Sequence, residues 1–249
     1  MESSREMKKK FCFLAVIFCM NFIFAQQQLI KQDSAELRSL KRNSQLGVSW
    51  FHEQGTTLLI ETTKSNIYEN VEYLLHQEEF RSEINETWTQ YAPPLFWAMM
   101  NGNVEISELL LHFGANPNFY TKSETPTAFE AIDEFVDSER ISLETAECLK
   151  RVLSDYGYGK EISDRIKLNN RYTVKGNLRL RDEPNLSGKT ITVIKEAGLL
   201  KVTRLGKYEN IDNLNSRWVY VEVFDNAKDI NENPITAGKT GWCYGGYLE

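Results

Sequence analysis

The chain has 249 residues, of which 41% are hydrophobic and 26% charged, and its formal net charge is −6 at pH 7. This length allows one large domain or two modest ones, and the composition is ordinary for a folded soluble protein. The acidic balance argues against a nucleic-acid-binding protein, because such proteins carry a basic surface.

The first 25 residues have the pattern of a secretory signal peptide. Arg5 and Lys8 to Lys10 precede a 14-residue apolar run that ends at Ala25. This order of basic, apolar and small residues predicts cleavage after Ala25, and the run is shorter than the roughly 20 residues of a membrane-spanning helix. An uncleaved anchor stays open, since Ile23 is bulky for a cleavage site. We therefore expect a periplasmic or secreted protein with no stable membrane insertion after cleavage.

A helical pattern repeats between residues 55 and 157. The pair Leu110–Leu111 lies 15 and 16 residues after Leu95, and the pair Leu74–Leu75 lies at the same distances from Leu59. One helix pair cannot cover its own apolar face, so such units stack. The spacing predicts stacked helix–turn–helix units.

The turns of these units correspond as well. Asn66 occupies the place of Gly102 between the two helices of a unit. A third unit starts at Pro126, 32 residues after Pro94, and its second helix is expected to end at Gly157. About eleven extra residues separate its two helices.

The middle unit resembles an ankyrin repeat. The family pattern is Thr-Pro-Leu-His-x-Ala, a Gly turn, a helix ending in Leu-Leu, and Gly-Ala-Asp-x-Asn. The matching residues are Pro94, Leu95, Ala98, Gly102, Leu110, Leu111, Gly114, Ala115, Asn116 and Asn118. Phe96 replaces the usual His and Pro93 the usual Thr. The resemblance implies an all-α repeat domain over residues 26–157, with weaker units at 55–77 and 123–157 and an N-terminal capping helix from Lys31 to Ser44.

The pattern changes after a polar connector at residues 158–170. Short apolar runs alternate with Gly, Asn, Asp and Pro clusters and have no helical period, which predicts a small all-β unit at residues 171–249. In the run WVYVEV, Val219, Val221 and Val223 share one face, and Trp218 and Tyr220 share the other.

This unit resembles a bacterial SH3-like domain, which implies a small β-barrel. The matching segments are Leu178 to Arg181 with Pro184, Ile194 to Leu200 around Gly198, Trp218 to Val221, and Gly238, Gly241, Trp242 and Leu248. Residues 224–239 form a longer insertion than the family's minimal loop. The predicted architecture is therefore an ankyrin-type helical stack followed by a small all-β SH3-like barrel.

Domains of this second family often accompany cell-wall hydrolases, so a Cys–His hydrolase is the enzyme class to consider. Such an enzyme needs a thiolate beside an imidazole and an orienting group. Outside the signal peptide the cysteines are Cys148, expected on the apolar side of a helix, and Cys243, expected in a strand. Thiols buried in this way are inert. We predict no catalytic residues and a protein that is not an enzyme.

The three histidines are His52, His76 and His112. His76 and His112 hold the same place in successive units, so helices 8–10 Å apart would keep their rings too far apart to share zinc at about 2 Å. We expect both to be solvated. No glycine-rich phosphate loop follows a strand. The sequence therefore predicts neither a metal nor a cofactor.

Exposed contact surfaces are the remaining candidates for function. Exposed aromatic side chains beside charges suit a protein partner, and aromatic grooves in small barrels suit extended peptides. The candidates on the helical unit are Met100, Asn101, Phe119, Tyr120, Lys122 and Glu124, with Lys64 and Ser65 as equivalents of the first two. The alternative for Phe119 and Tyr120 is packing on the insertion of the third unit. The candidates on the β unit are Trp218, Tyr220, Tyr244 and Tyr247, whereas Trp242 is expected in the core.

These observations predict an exported, non-enzymatic binding protein. Its ankyrin-like stack would bind a protein partner. Its SH3-like domain would bind the peptide part of peptidoglycan. Alternatively, it would bind an extended peptide of a second partner. Two alternatives stay open: an accessory or regulatory partner of a cell-wall hydrolase, such as an inhibitor or immunity protein, and a hydrolase with an unrecognised site.

Overall fold

The computed structural model describes residues 56–87, 92–119, 127–160, 165–224 and 227–249. The predicted signal peptide, the capping helix and His52 lie outside these residues. Within them, a helical unit precedes a curled antiparallel sheet. None of the helices in these ranges is long and apolar enough to cross a membrane.

Within the described ranges, three helix pairs and one four-residue helix form the helical unit. In chain order the helices are α1 Leu58–Ser65, α2 Tyr68–Leu75, α3 Glu78–Arg81, α4 Pro94–Met100, α5 Val104–His112, α6 Ala128–Asp137 and α7 Leu143–Asp155. The first helices α1, α4 and α6 pack side by side, and so do the second helices α2, α5 and α7. A stack of helix pairs therefore precedes the sheet, as the repeat pattern predicts.

The helices begin with recognisable caps. The Thr57 hydroxyl accepts a hydrogen bond from the Ile60 N–H at 3.0 Å at the start of α1. Pro94 is the first residue of α4, where the missing N–H of proline costs nothing. Thr57 and Pro93 thus both stand at the N-cap, which confirms the predicted correspondence of these two units.

The third unit differs from its predicted register. Thr127 and Glu130 form a capping box, so α6 begins at Ala128, two residues later than the spacing from Pro126 predicts. The extra residues of this unit do not form a separate insertion. Most of them extend the helices, because α6 has 10 residues and α7 has 13, against 7 and 9 in α4 and α5. The turn at 138–142 is also longer than the turn at 101–103.

The turn between the two helices of each unit contains one residue with left-handed backbone. This residue is Asn66 at φ 62°, Gly102 at φ 67° and Glu139 at φ 57°. The predicted correspondence of Asn66 with Gly102 is confirmed. The Asn103 amide donates to the Asn66 side-chain oxygen at 3.0 Å, so adjacent turns are hydrogen-bonded to each other.

Glycines end the second helices of the middle and third units. Gly114 has φ 96° and Gly157 has φ 102°. The next N–H bonds back to a carbonyl of the helix, from Ala115 to Leu110 at 3.0 Å and from Tyr158 to Leu153 at 2.9 Å. This is the usual arrangement of a glycine that stops a helix, and it agrees with the end predicted at Gly157.

The C-terminal unit is one six-stranded antiparallel sheet in the order β1-β4-β5-β6-β2-β3. Its strands are β1 Arg171–Thr173, β2 Leu178–Arg181, β3 Thr190–Ile194, β4 Leu199–Ile211, β5 Leu214–Val223 and β6 Thr240–Tyr244, and a 3₁₀ turn follows at Gly245–Tyr247. The pairing of β4 with β5 shifts register twice. Such irregularities bend strands, and the sheet curls into a half-barrel.

The two faces of β5 follow the predicted alternation. Val219, Val221 and Val223 are buried in the core inside the curl. Trp218 and Tyr220 lie on the opposite face, where Tyr220 pairs with Trp242 of β6. Trp242 is 9% exposed, so it is buried as expected, but it belongs to an outer aromatic cluster rather than to the inner core.

The described end of the connector is attached to the sheet. Ile166 is buried in the sheet's core. The Asn169 N–H donates to the Val202 carbonyl at 2.7 Å, and the Val202 N–H donates to the Asn170 carbonyl at 3.0 Å. On the other side, Tyr158 stacks on Phe129 of α6 with ring centroids 4.0 Å apart. Each end of the predicted linker is thus held by its neighbouring unit.

The helical unit packs on the sheet through α5 and β4. His112 Nδ1 lies 2.7 Å from the Leu205 carbonyl oxygen, and its ring centroid is 5.6 Å from that of Trp242. An ion pair between Lys207 and Asp155 at 3.2 Å lies beside them.

Candidate functional site

The first helices present a regular surface. Lys64, Met100 and Glu134 each hold the seventh position of α1, α4 and α6. Met100 is half-buried, and Asn101 at the end of α4 is exposed. The Asn101 amide lies 3.4 Å from the Lys64 carbonyl oxygen, so it also links α4 to α1.

Trp97 also lies on this surface, although no sequence pattern indicates it. It is half-buried, and Lys64 Nζ lies 4.3 Å from its ring centroid. Its indole N–H has no hydrogen-bond partner within the described residues, whereas a buried donor is normally bonded. Glu61 takes the same fourth position in α1, which marks this position as a surface one. We define the repeat face as Glu61, Lys64, Trp97, Met100 and Asn101.

The loop after α5 differs from the expected exposed tip. Phe119 is 6% exposed and packs with Phe96 at a centroid distance of 6.3 Å. The prediction that Phe119 is an exposed contact is therefore wrong, because its ring joins the repeat core. Tyr120, Lys122 and Glu124 lie outside the described residues.

A groove opens on the sheet around three of the four predicted aromatic residues. Trp218, Tyr244 and Tyr247 line a cavity of about 450 Å³. Leu186 and Ile230, which are 57% and 53% exposed, stand at its rim. Ile230 belongs to the long insertion at residues 224–239, so the insertion contributes to the groove. We call this cavity the aromatic groove.

The aromatic residues of the groove differ in exposure. Trp218 and Tyr244 are only 2% and 3% exposed, so they form its floor rather than free contacts. Trp218 donates from Nε1 to the Glu209 carboxylate at 2.6 Å. The half-exposed Tyr247 hydrogen-bonds to the Asp212 carboxylate, and this bond raises the pKa of Tyr247.

Tyr220 is separate from the aromatic groove. Its hydroxyl donates to Thr240 at 2.9 Å, and its ring contacts Trp242 at a centroid distance of 5.2 Å. It therefore lies beside the junction with the helical unit rather than beside Tyr247.

The two described histidines have different environments. His76 is exposed, as predicted, and its ring meets Phe113 edge-on at 5.1 Å. His112 is not solvated as predicted, because the sheet covers it, and burial lowers its pKa. The Leu205 carbonyl can only accept, so Nδ1 carries the proton, and the Tyr156 hydroxyl lies 3.2 Å from Nε2.

The thiols also differ. Cys243 is fully buried, as predicted, and burial raises the pKa of its thiol. Cys148 is only half-buried and lies 3.8 Å from Arg151 Nη2, so the expectation of a buried thiol is wrong there. Within the described residues, no group of three or more His, Cys, Asp or Glu side chains could hold a metal ion.

No curated protein matches this chain. A family model, however, matches part of it. Residues 92–122 match the family model described as an ankyrin repeat, and this span contains α4, α5 and the start of the loop that follows. The middle helix pair of the stack is thus similar to an ankyrin repeat, a type of unit that usually binds other proteins.

Proposed function

We propose that this protein is an exported, non-enzymatic binding protein that holds a protein partner on the repeat face. The observation that carries the proposal is Trp97, a half-buried indole that stands at the surface position of α4 with the Lys64 ammonium 4.3 Å from its ring centroid. Tryptophan dominates binding energy in many protein interfaces because it combines a large apolar area with one donor.

The surroundings of Trp97 suit such a contact. Met100 adds a flexible apolar side chain that adapts to a partner, and the Lys64 ammonium lies over the indole ring. The next first helix exposes Glu130, Asp133, Glu134 and Asp137. A partner with an apolar patch flanked by basic residues would complement this surface.

The aromatic groove supports a second binding role. The C-terminal sheet is proposed to be an SH3-like domain that binds an extended peptide, either from the cell wall or from a second protein. The buried Trp218 and Tyr244 give the groove a rigid floor, and the exposed Leu186 and Ile230 provide apolar walls. Such grooves suit extended chains, which lose little entropy on binding.

We infer export and a bacterial envelope location from the N-terminal sequence. Residues 1–25 combine a basic segment with a short apolar run that ends in Ala25. An exported binding protein with these two surfaces would join a protein partner to the cell wall.

The test uses the exported form of the chain, residues 26–249, immobilised and exposed to envelope extract. A protein captured by the wild type and lost by the double variant Trp97→Ala/Met100→Ala would support binding at the repeat face. The matched control is Leu143→Ala, since Leu143 is 66% exposed at the start of a second helix. Equal capture by all three proteins, or no specific capture, would contradict the proposal.

A sedimentation assay with purified peptidoglycan tests the second role. The wild type should pellet with the polymer, and Tyr247→Ala should pellet less because Tyr247 is the most accessible aromatic residue of the groove. Tyr220→Phe is the control, since Tyr220 lies outside the groove. If the wild type does not sediment but still binds a free extended peptide, the groove would be assigned to a second protein.

A further inference from the structure

A cleft of about 750 Å³ lies between the helical unit and the sheet. Its walls are the loop after α5, residues 114–118, and the sheet-bound end of the connector, residues 166–169. Tyr156, Leu205 and Arg217 also line it. None of these residues belongs to the repeat face or the aromatic groove, so the cleft extends beyond the proposed function.

Arg217 is the unusual residue of this cleft. Its side chain comes from β5 and is only 8% exposed. Its Nε donates to the Gly206 carbonyl at 3.2 Å, and its guanidinium lies 4.6 Å from the centroid of the Tyr208 ring. Within the described residues, no carboxylate pairs with Arg217 and its terminal Nη groups have no acceptor.

Burial of a guanidinium without a counter-ion is unfavourable, because it removes hydration that the Gly206 carbonyl and the Tyr208 ring replace only in part. Burial lowers the pKa of Arg217, and the neighbours that oppose this are the phenol groups of Tyr208 and Tyr156. Arginine nevertheless stays charged in proteins. Its planar pair of Nη donors matches a carboxylate or a phosphate better than any neutral group.

The other charged side chains of the cleft are mostly basic. Lys160 and Lys167 are exposed at its rim, and Arg81 lines it as well. The acidic residue among the described lining is Glu78. Four cationic side chains thus face one anionic side chain in a chain whose net charge is −6.

The walls of the cleft are held in place before any ligand arrives. The Asn85 amide donates to the Gly114 carbonyl at 3.2 Å and accepts from the Asn116 N–H at 2.8 Å. Asn118 accepts from the Gly159 N–H at 2.8 Å. A site ordered in advance loses less entropy on binding.

We propose that this cleft binds a small organic oxyanion, with Arg217 holding its carboxylate or phosphate group. Lys160 and Lys167 attract the anion at the rim, and Ile166 and Leu168 contact its apolar part. The volume admits a ligand the size of a short peptide or a phosphate monoester.

The experiment titrates residues 26–249 with three probes and follows binding by calorimetry. The probes are acetyl-alanyl-alanine, its C-terminal amide, and phenyl phosphate. We expect at least one of the two anions to bind at least tenfold more tightly than the neutral amide. The anion that binds more tightly shows whether the site prefers a carboxylate or a phosphate. Equal binding of all three probes, or no saturation by any, would overturn the proposal.

Variants locate the site. Arg217→Gln should weaken binding of the preferred anion at least tenfold. Because this buried residue also supports the sheet, Lys167→Glu provides a surface variant, for which we expect a loss of at least threefold. Lys189→Glu is the matched control, since Lys189 is exposed and does not line the cleft. Equal losses in Lys167→Glu and Lys189→Glu would show a general charge effect and contradict the site.

Discussion

His112 Nδ1 lies 2.7 Å from the carbonyl oxygen of Leu205, and this contact joins the last turn of α5 to the longest strand of the sheet. A histidine at the same place of the preceding unit, His76, meets solvent instead. The difference arises because the sheet packs on the later part of the stack. Burial at this junction lowers the pKa of His112, which favours the neutral imidazole.

The protein should lose stability as the pH falls, because of this imidazole. Burial lowers the pKa of His112 in the folded protein, so the unfolded chain binds the proton more readily. The contribution of His112 to the free energy of unfolding is complete above its usual pKa of about 6.5 and decreases as pH falls below it. Urea unfolding at pH 7.5 and 5.5 measures this loss.

The variant His112→Gln isolates the effect, because glutamine can donate to Leu205 but does not titrate. It should lose less stability than the wild type between pH 7.5 and 5.5. His76→Gln is the comparison. Partial burial and Arg204 also lower the pKa of His76, but this side chain is exposed, so the variant should retain more of the wild-type pH dependence than His112→Gln. An identical pH dependence in wild type and His112→Gln would contradict this assignment.

Leu110→Ala should destabilise the helical stack by roughly 2–5 kcal/mol. Leu110 is fully buried where α5 packs on neighbouring helices, and each unit of a stack depends on its neighbours. Leu143→Ala, at a residue that is 66% exposed, should change stability by less than about 0.5 kcal/mol. Chemical unfolding of both variants checks this, and similar effects would contradict the assigned helix faces.

Gly102→Ala should cost about 1–2 kcal/mol, because left-handed backbone is unfavourable for residues with a Cβ. Gly102 has φ 67°, and an added Cβ would lie 3.1 Å from Ile141 Cγ2. Glu139 adopts a similar backbone at φ 57° in the third unit. Glu139→Gly should therefore be neutral or stabilising. Destabilisation by Glu139→Gly, or none by Gly102→Ala, would disprove the equivalence of the turns.

Trypsin should cleave after Lys160 before it cleaves after Lys167. Lys160 is exposed at the end of the helical unit. Around Lys167 the chain is fixed to the sheet, since the Lys167 N–H donates to the Tyr172 hydroxyl at 2.8 Å. Mass spectrometry of the first fragments distinguishes the two sites. Lys160→Gln should delay cleavage, and a first cut after Lys167 would mean that the connector detaches from the sheet.

The repeat could be predicted because its signals are local. Leucine spacing, the turn residues Asn66 and Gly102, and the glycine stop at Gly114 depend only on backbone geometry within one unit. The third unit begins two residues later than its spacing predicts because Pro126 matches the helix-opening Pro94 in sequence, whereas α6 starts only after the Thr127 cap. The alternation of β5 was predictable for the same local reason, since Val219, Val221 and Val223 must share a face.

The binding surfaces could be predicted only in part, because they depend on contacts between distant segments. Phe119 resembles an exposed loop residue until Phe96 is seen to cover it. Trp97 resembles a core residue unless it is compared with Glu61 at the same position of the preceding unit. The groove needs Leu186 and Ile230 from separate loops, and the cleft needs the packing of one unit on the other. No pattern within a short window contains this information.

One binding experiment compares surface contact with catalysis. Against a partner captured on the repeat face, Trp97→Ala should lose about 2 kcal/mol of binding free energy, or about 30-fold in Kd, as is typical of a central tryptophan. Tyr120→Ala should also weaken binding, as the sequence predicts for a loop aromatic residue. Cys148→Ala should leave binding unchanged, because Cys148 contacts Arg151 rather than a histidine. Surface plasmon resonance gives the three affinities, with circular dichroism as the control for folding. Unchanged binding in Trp97→Ala together with loss in a folded Cys148→Ala would overturn the non-enzymatic interpretation and assign function to the thiol.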